Sequence, residues 1–375
     1  METQYIAFQF RAYPTPDQIS ILDQWLGSAR FIWNNMLDLN QKTYDLENKF
    51  VFNFDMQKRL PSLKSEFPWL SNVPSQVLQQ KCANLSTAFS MFLNPKLDFG
   101  FPNFKAKKED SSGICFPQGW HIEGNRINLP KMKGLKVNFH REIYGKMTSL
   151  TLKKDKCGNF WISIKTSIPA TQQITDIDPS RIVGIDMGLK NYAVLSDGTI
   201  IPNPTYLKNE KKSVARKSRS HSRKKNGSKN KEKARIKAAK KHRKIANQRK
   251  DFINKLVNQI TNDYDLICTE TLDIKAMLKT NKSLAKQISD AGWSLFFIKL
   301  AQKCLLKGKI LIKIDQYFPS TKICSCCGNV QPMPLNTRNY SCNNCGLEMD
   351  RDQNASINIR DWGIQNMAGT AKIYA

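Results

Sequence analysis

Two C-x2-C pairs lie in the last third of the chain, Cys324/Cys327 and Cys342/Cys345, each followed by a glycine and separated from each other by fourteen residues. Four thiolates at this spacing suit tetrahedral Zn²⁺, and each glycine lets the chain turn so that backbone amides approach the sulfurs. All four predicted ligands are protein thiolates, which leaves no position for a water molecule. The sequence therefore predicts one structural zinc. Cys326 is predicted not to be a zinc ligand, because Cys324 and Cys327 match the spacing and the glycine of the downstream pair.

Carboxylates at three separate places in the chain could form a second centre. Asp186 lies within the apolar strand predicted at 181–187, where a buried acid is costly without a positive partner. Glu270 ends the apolar strand predicted at 264–269. Asp352 precedes a predicted helix, and it is preferred to Asp350 because it lies nearer the helix proper.

Each of these acids alone has an ordinary structural interpretation. An aspartate in a turn is often structural, a glutamate at a strand end usually faces solvent, and an aspartate before a helix is often an N-cap. Three more acids, Asp197, Asp265 and Asp273, are interpreted as turn or loop residues.

The order of the predicted elements argues that the three acids form one site. The predicted elements follow the order of the ribonuclease H-like fold. This order is a strand with an acid, a three-stranded meander, a helix, a second strand with an acid, and a last helix with an acid. There the two acid-bearing strands are neighbours and the last helix packs beside them. Converging carboxylates need cations, and two Mg²⁺ ions would both neutralise them and support phosphodiester hydrolysis.

The N-terminal part of the chain predicts two further domains. Residues 4–13 alternate apolar and polar as a half-buried strand does, and Thr15 begins a capping box followed by a helix. Residues 15–97 are read as a small helical domain. Residues 98–180 contain short strand-like runs that fit a small β-barrel, completed by the first strand. Its aromatics, interleaved with lysines, could stack on nucleic-acid bases or form the core.

The charge of +28, from 59 basic and 31 acidic residues, points to a polyanionic partner. Residues 208–250 hold 20 Lys or Arg against two Glu. We favour phosphate contacts for this run over a solvated surface helix. A ribosome-bound or membrane-surface protein would also be basic. No apolar run predicts a transmembrane helix, no signal peptide is read, and the cysteines suit a reducing compartment, so a cytoplasmic, nucleoid-associated protein is expected.

Several stretches together resemble the TnpB family, transposon-encoded RNA-guided DNA endonucleases related to the single-protein type V CRISPR effectors. The resemblance spans nearly the whole chain and is most specific near its end. The matching stretches are FRAYPTPDQ, ARFIWNNML, PNFKAKK, VGIDMGLKNYAVLSDG, ANQRKDFINKL, YDLICTETLDI, SDAGWSLF, PSTKICSCCG and CNNCGLEMDRDQNASINI.

The resemblance implies an α/β multidomain architecture. It consists of a wedge-like β-barrel domain (1–14 and 98–180), a helical recognition domain (15–97), a RuvC-like nuclease domain (181–319 and 348–375) and a zinc ribbon (320–347). By position, Asp186, Glu270 and Asp352 match the family's nuclease acids, and the cysteines of the two C-x2-C pairs match its zinc ligands.

The resemblance also implies partners and an activity. The partners are a guide RNA derived from the transposon end and double-stranded target DNA with a short motif beside the target. A monomeric protein is expected in the ribonucleoprotein. The activity is Mg²⁺-dependent cleavage of that DNA.

Two other classes of function compete with an endonuclease. A guided repressor would bind DNA without cutting it, but relatives of that kind have lost an acid and all three are intact here. An accessory transposition protein, or a transposase with three acids on a ribonuclease H-like fold, is the other alternative. The position of the zinc ribbon and the flanking motifs fit TnpB better.

Overall fold

A computed structural model describes residues 3–107, 113–334 and 337–367. The chain divides into two compact units, residues 1–169 and 170–375. No helix within the described ranges is both long and apolar enough to cross a membrane.

The N-terminal unit combines one antiparallel sheet with a group of helices. In chain order its elements are β1 (Thr3–Tyr13), α1 (Pro16–Glu47), α2 (Asn53–Lys58), α3 (Leu60–Glu66), a 3₁₀ turn (Pro68–Asn72), α4 (Ser75–Leu93), β2 (Ile114–Phe116), β3 (His121–Glu123), β4 (Arg126–Leu129), β5 (Met132–Asn138), β6 (Lys146–Lys154) and β7 (Phe160–Pro169).

β1 is the central strand of this sheet, whose order is β2-β6-β7-β1-β5-β4-β3. Its alternating sequence buries Phe8, Phe10 and Ala12 on one face and leaves Tyr5 and Tyr13 exposed on the other. In the part of the sheet that the structure describes, β2 and β3 are edges that do not pair with each other. Hydrogen-bonded closure into the predicted barrel is therefore not seen there.

The helices of this unit begin where local sequence signals place them. Thr15 caps α1 in a complete capping box: its side chain accepts from the Gln18 backbone N–H, and the Gln18 side chain accepts from the Thr15 backbone N–H. The buried faces of α1 and α4 pack with the inner face of the sheet in one hydrophobic core. The helices that follow the first strand therefore share their core with the sheet.

The C-terminal unit is built around a five-stranded sheet. Its elements are β8 (Ile182–Met187), β9 (Asn191–Leu195), β10 (Ile200–Pro202), α5 (Tyr206–Ser222), α6 (Lys229–Asp263), β11 (Leu266–Thr269), α7 (Ile274–Thr280), α8 (Ala285–Ala291), α9 (Trp293–Lys307), β12 (Ile310–Lys313), β13 (Asn339–Ser341), β14 (Glu348–Asp350) and α10 (Arg351–Asn366).

The sheet order β10-β9-β8-β11-β12 confirms the predicted three-stranded meander and the neighbouring strands that bear Asp186 and Glu270. β8 and β9 are antiparallel, whereas β8, β11 and β12 run parallel. Alternate residues of β8 and β11 face opposite sides of the sheet. One side packs on α6 and α9 around Ile185 and Ile267, and the other side packs against α10.

One local prediction about this unit is wrong. Asp273 is interpreted as a turn or loop residue, but it caps α7 by accepting a hydrogen bond from the Ala276 backbone N–H at 2.9 Å. Further along the chain, Gly292 adopts a φ of 70°, which ends α8 and allows α9 to begin at Trp293.

Candidate active site and metal centre

Asp186 and Glu270 lie on the same face of the sheet because β8 and β11 are parallel and in register. Gly184 pairs with Cys268, and Ile185 pairs with Thr269. One residue further along each strand, Asp186 is opposite Glu270, on the face that carries Gly184 and Cys268. The charge of Glu270 raises the pKa of Asp186, so the two carboxyl groups influence each other. The structure therefore brings together two acids that the sequence separates by a long basic segment.

The third acid reaches this face on α10, which lies unusually close to the sheet. A β-carbon on Gly184 would overlap the Ser356 carbonyl oxygen and lie 2.6 Å from the Arg360 backbone nitrogen. A β-carbon on Gly363 would overlap the sulfur of Cys268. Two glycines thus let α10 cross β8 and β11 in direct backbone contact, and Asp352 lies one helical turn before Ser356.

Asp350 and Asp352 have different structural roles. The Asp350 carboxylate caps α10 by accepting from the backbone N–H groups of Asp352 at 2.9 Å and Gln353 at 3.2 Å. The Asp352 carboxylate instead contacts Arg351 and Arg338, and its negative charge acts on Asp186 and Glu270. Asp350 therefore has a structural role as the N-cap of α10.

Burial and mutual repulsion raise the pKa values of the first two acids. Burial raises the pKa of Asp186 well above its usual range, and the negative charges of Glu270 and Asp352 raise it further. Burial also raises the pKa of Glu270 from 4.5 to about 7, although hydrogen bonds from the Met187 backbone and Asp186 oppose the rise. Such a cluster binds a proton or a cation more readily than it remains ionised alone.

Two arginines that were not among the predicted site residues contact Asp352. Arg351 donates to one carboxylate oxygen from Nε at 3.1 Å and from Nη2 at 2.9 Å. Arg338 lies 3.4 Å from the other oxygen, and its side chain is 46 % exposed. The sequence D-R-D offered a signal for Arg351, since a cation lies between two acids. Arg338 had no such signal, because its approach depends on how residues 320–347 fold.

The four predicted zinc ligands come together as one cluster. Their sulfur atoms all lie within 4.8 Å of one another, with Cys324–Cys345 and Cys327–Cys342 each at 3.6 Å. Sulfurs bound tetrahedrally to Zn²⁺ at about 2.3 Å would be about 3.8 Å apart, so the observed spacing fits the ion. A hydrogen bond from the Cys345 backbone N–H is the main reason that the pKa of Cys342 falls to about 6, which favours the thiolate that zinc needs.

Cys326 remains outside this cluster. It is exposed, and it is not among the residues that could share a metal within the described part of the chain. The prediction that it is not a zinc ligand agrees with this geometry.

The other aspartates need partial correction. Asp197 is a turn residue whose carboxylate accepts from the Thr199 backbone N–H and also from the Tyr264 hydroxyl. Asp265, also interpreted as a turn residue, is instead a buried ion-pair centre: it binds Arg181 at 2.7 Å and also Lys309. Both partners lower the pKa of Asp265, Arg181 more strongly. This ion-pair cluster lies where the N-terminal ends of β8, β11 and β12 meet. Asp186 and Glu270 lie at the other ends of β8 and β11.

The basic run folds into α5 and the first part of α6, which pack against each other. Asp290 helps to hold the pair, because its carboxylate accepts from the Leu207 backbone N–H at 2.8 Å and binds Arg249 at 2.5 Å. Fourteen of the 20 lysines and arginines in 208–250 are exposed. An open groove along α5 is lined by basic residues, among them Lys211, Arg216 and Arg219. These groups can contact phosphates.

The carboxylate cluster and the thiolate cluster suit different metals. Three carboxylates offer the hard oxygen donors that Mg²⁺ prefers, and four thiolates offer soft ligands that suit zinc. Within the described residues, the four cysteines are the group whose ligand atoms lie close enough together to hold one ion. The thiolates form a closed set that can only stabilise the fold.

Three family profiles match separate parts of the chain. A family profile described as "Probable transposase" matches residues 165–281, which include Asp186 and Glu270. A profile described as "Cas12f1-like, TNB domain" matches residues 293–359, which include the four clustered cysteines and Asp352. A third profile, described as "Helix-turn-helix domain", matches residues 1–49, which here form β1 and α1.

Two curated proteins match almost the whole chain. One is named "Putative RNA-guided DNA endonuclease" and comes from Streptomyces pristinaespiralis; it is 32% identical over 370 residues, which are 96% of this chain and 89% of that protein. The other is named "Putative RNA-guided DNA endonuclease InsQ" and comes from Escherichia coli K12; it is 30% identical over 373 residues, 94% of this chain and 91% of that protein.

A solved structure shares the fold. The protein in a Cas12f1–sgRNA–target DNA complex superimposes with a TM-score of 0.50 at 17% identity, covering 92% of this chain and 83% of that one.

Proposed function

The chain belongs to the TnpB family of RNA-guided DNA endonucleases, and from this we propose that it cleaves double-stranded DNA at sites that match a transposon-derived guide RNA and lie beside a short DNA motif. The observation that carries the proposal is the convergence of Asp186, Glu270 and Asp352 on one face of the sheet. The repressor alternative lacks a comparable observation, since a protein that only binds DNA has no need of three acids held together at a cost in stability.

The three carboxylates have distinct supports in this chain. Asp186 is fixed by the strand β8, and Glu270 is held by the Met187 backbone N–H. The negative charge of Asp352 is balanced by Arg351 and Arg338. Two Mg²⁺ ions bound to these oxygens would supply an activated water and stabilise the leaving oxygen of the phosphodiester.

Zinc would have a different role from Mg²⁺. The closed set of Cys324, Cys327, Cys342 and Cys345 would hold one ion that stabilises the fold of residues 320–347 and takes no part in the reaction.

Nucleic-acid binding would rest on charge outside the acid site. The exposed cations of α5 and α6 would contact the phosphates of guide RNA or DNA, one copy of the chain serving each guide. The proposal includes the division of the chain into a wedge-like domain, a helical recognition domain, a RuvC-like domain and a zinc ribbon.

Cleavage of a plasmid with a guide-matched site tests the proposal. Asp186→Ala, Glu270→Ala and Asp352→Ala should each abolish cleavage and leave target binding nearly intact, and a double substitution should be little worse than a single one. Asp350→Ala should be milder, because Asp350 caps α10. Asp361→Ala is a matched control, since this aspartate lies on the same helix and pairs with Arg360 near the surface.

Binding is measured beside cleavage in the same preparation. Wild-type protein that binds its target but never cuts with Mg²⁺ present would favour the repressor, and full cleavage by Asp186→Ala would refute the site.

A further inference from the structure

Asn354 connects the first turn of α10 to one of the cysteine pairs. Its side chain is completely buried and makes two hydrogen bonds. Nδ2 donates to the Ile323 carbonyl oxygen at 2.7 Å, and Oδ1 accepts from the Ser325 backbone N–H at 2.9 Å. Because Ile323 and Ser325 flank Cys324, the Asn354 amide spans the backbone on both sides of a predicted zinc ligand.

The same helical turn carries Asp352, and a second contact holds it from the other side. The Arg351 backbone N–H donates to the Arg338 carbonyl oxygen at 2.7 Å, and Arg351 Nη1 donates to the Thr337 carbonyl oxygen at 3.0 Å. The first turn of a helix lacks the backbone acceptors that later turns have, so its position depends on such outside contacts. Asp352 therefore sits in a turn held between two parts of the segment that contains the four cysteines.

Asn358, one turn later, provides a comparison within the same helix. Its side chain is 6 % exposed, and Nδ2 donates to the carbonyl oxygens of Ser320 at 2.8 Å and Ile323 at 2.7 Å. It is buried much as Asn354 is and also contacts Ile323. However, it does not bind the residue after Cys324, and it lies outside the turn that carries Asp352.

We propose that Asn354 is a positioning residue that couples zinc at the four cysteines to divalent-cation binding at Asp186, Glu270 and Asp352. The inference rests on the proposed function, because it takes the three acids as a metal site. With the cysteines joined by zinc, the backbone around Cys324 is fixed and Asn354 holds the first turn of α10 in place. Without zinc, this backbone is freed, the buried amide loses its partners and Asp352 shifts from the other two acids. Such coupling is reciprocal, so cation binding at the acids also favours zinc retention.

Binding of Mn²⁺ to the full-length protein, followed by electron paramagnetic resonance, tests the coupling, with zinc content measured on the same samples. Zinc-loaded Asn354→Leu should bind Mn²⁺ about 10-fold or more weakly than wild type, as is typical when a group supporting a metal ligand is removed. Asn358→Leu should lower the melting temperature by a similar amount but leave Mn²⁺ affinity within about twofold. Wild type stripped of zinc, and then freed of chelator, should bind Mn²⁺ as weakly as Asn354→Leu.

The outcomes separate this inference from the proposed function. If Asp186→Ala abolishes Mn²⁺ binding while zinc-loaded Asn354→Leu binds it like wild type, the coupling is wrong and the acid site stands. If Asp186→Ala binds Mn²⁺ normally, the acid site itself is wrong. Equal weakening by Asn354→Leu and Asn358→Leu would show a general loss of packing and overturn the role of Asn354. Asn354→Ser, smaller and still polar, replaces the leucine variant if the latter does not melt cooperatively.

Discussion

The clustered acids should make the C-terminal unit less stable as pH rises when Mg²⁺ is absent. The pKa of Glu270 is about 7 in the folded protein and 4.5 ordinarily. A raised pKa in an acid means that the folded state binds the proton more tightly than the unfolded state does. The associated stability is complete below about pH 4.5 and is lost as pH rises through about 7.

The size of this effect follows from the pKa change. At about 1.4 kcal/mol for each pKa unit, the rise corresponds to about 3 kcal/mol. Glu270 is partly exposed, and solvent screening reduces this to about 2 kcal/mol. Glu270→Gln cannot ionise, so its advantage over wild type should be about 0.5 kcal/mol at pH 5 and about 2 kcal/mol at pH 8.

Hydrogen exchange of peptides from β8 and β11 measures this difference locally, after correction for the effect of pH on the intrinsic rate. At pH 8 the variant should exchange about 30-fold more slowly than wild type, which corresponds to about 2 kcal/mol. The buffers contain no chelator, so zinc is retained. Millimolar Mg²⁺ should slow exchange in wild type more at pH 8 than at pH 5, because protons and cations compete for the same oxygens.

Glu142→Gln is the control, since it removes an exposed glutamate outside the cluster. It should show no pH-dependent difference from wild type. If the advantage of Glu270→Gln is the same at pH 5 and pH 8, the three acids do not repel one another as the structure indicates, and the reasoning fails.

Three further changes test other parts of the molecule. Gly184→Ala should destabilise the C-terminal unit by about 3 kcal/mol, because the added methyl group meets backbone atoms of α10. Gly100→Ala is the control, because the added methyl group meets open space and the variant should melt like wild type. Equal melting temperatures for the two variants would contradict the close approach of α10. Cys342→Ser should lose stoichiometric zinc in metal analysis and Cys326→Ser should keep it, and the reverse result would mean that the ligands are assigned wrongly. Neutralising six exposed lysines in residues 208–250 should weaken RNA or DNA binding and reduce its salt dependence, by a slope of about 0.7 to 0.9 for each lysine–phosphate interaction removed; an unchanged slope would identify the run as a solvated face.

The features that the sequence predicted correctly depend on neighbouring residues. The capping box at Thr15 needs only residues three positions apart, and the alternation in β1 needs only one buried face. The four cysteines were predictable because metal ligands need a fixed spacing. The order of the strands around Asp186 and Glu270 was also predictable, although the register between β8 and β11 that brings the two acids together was not.

The features that the sequence did not predict depend on tertiary contacts. Arg338 reaches Asp352 only because residues 320–347 fold back on α10. The helix α5, in the first half of the basic run, packs against α6 and has Asp290 at its N-terminal end, and Asp290 is distant along the chain. Asp265 resembles a turn residue in the sequence because its partners, Arg181 and Lys309, are distant along the chain.

The wide separation of the three acids along the chain also bears on when cleavage becomes possible. Asp186, Glu270 and Asp352 come from three segments that meet only after β8 and β11 have paired and α10 has settled on them. Contacts between distant segments form late in folding, because the chain must first lose the freedom of the intervening loops. Under the proposed function, a chain that is partly folded or still assembling would therefore hold nucleic acid through its basic helices before it could cut. The proposed nuclease would therefore become active only once the fold is complete.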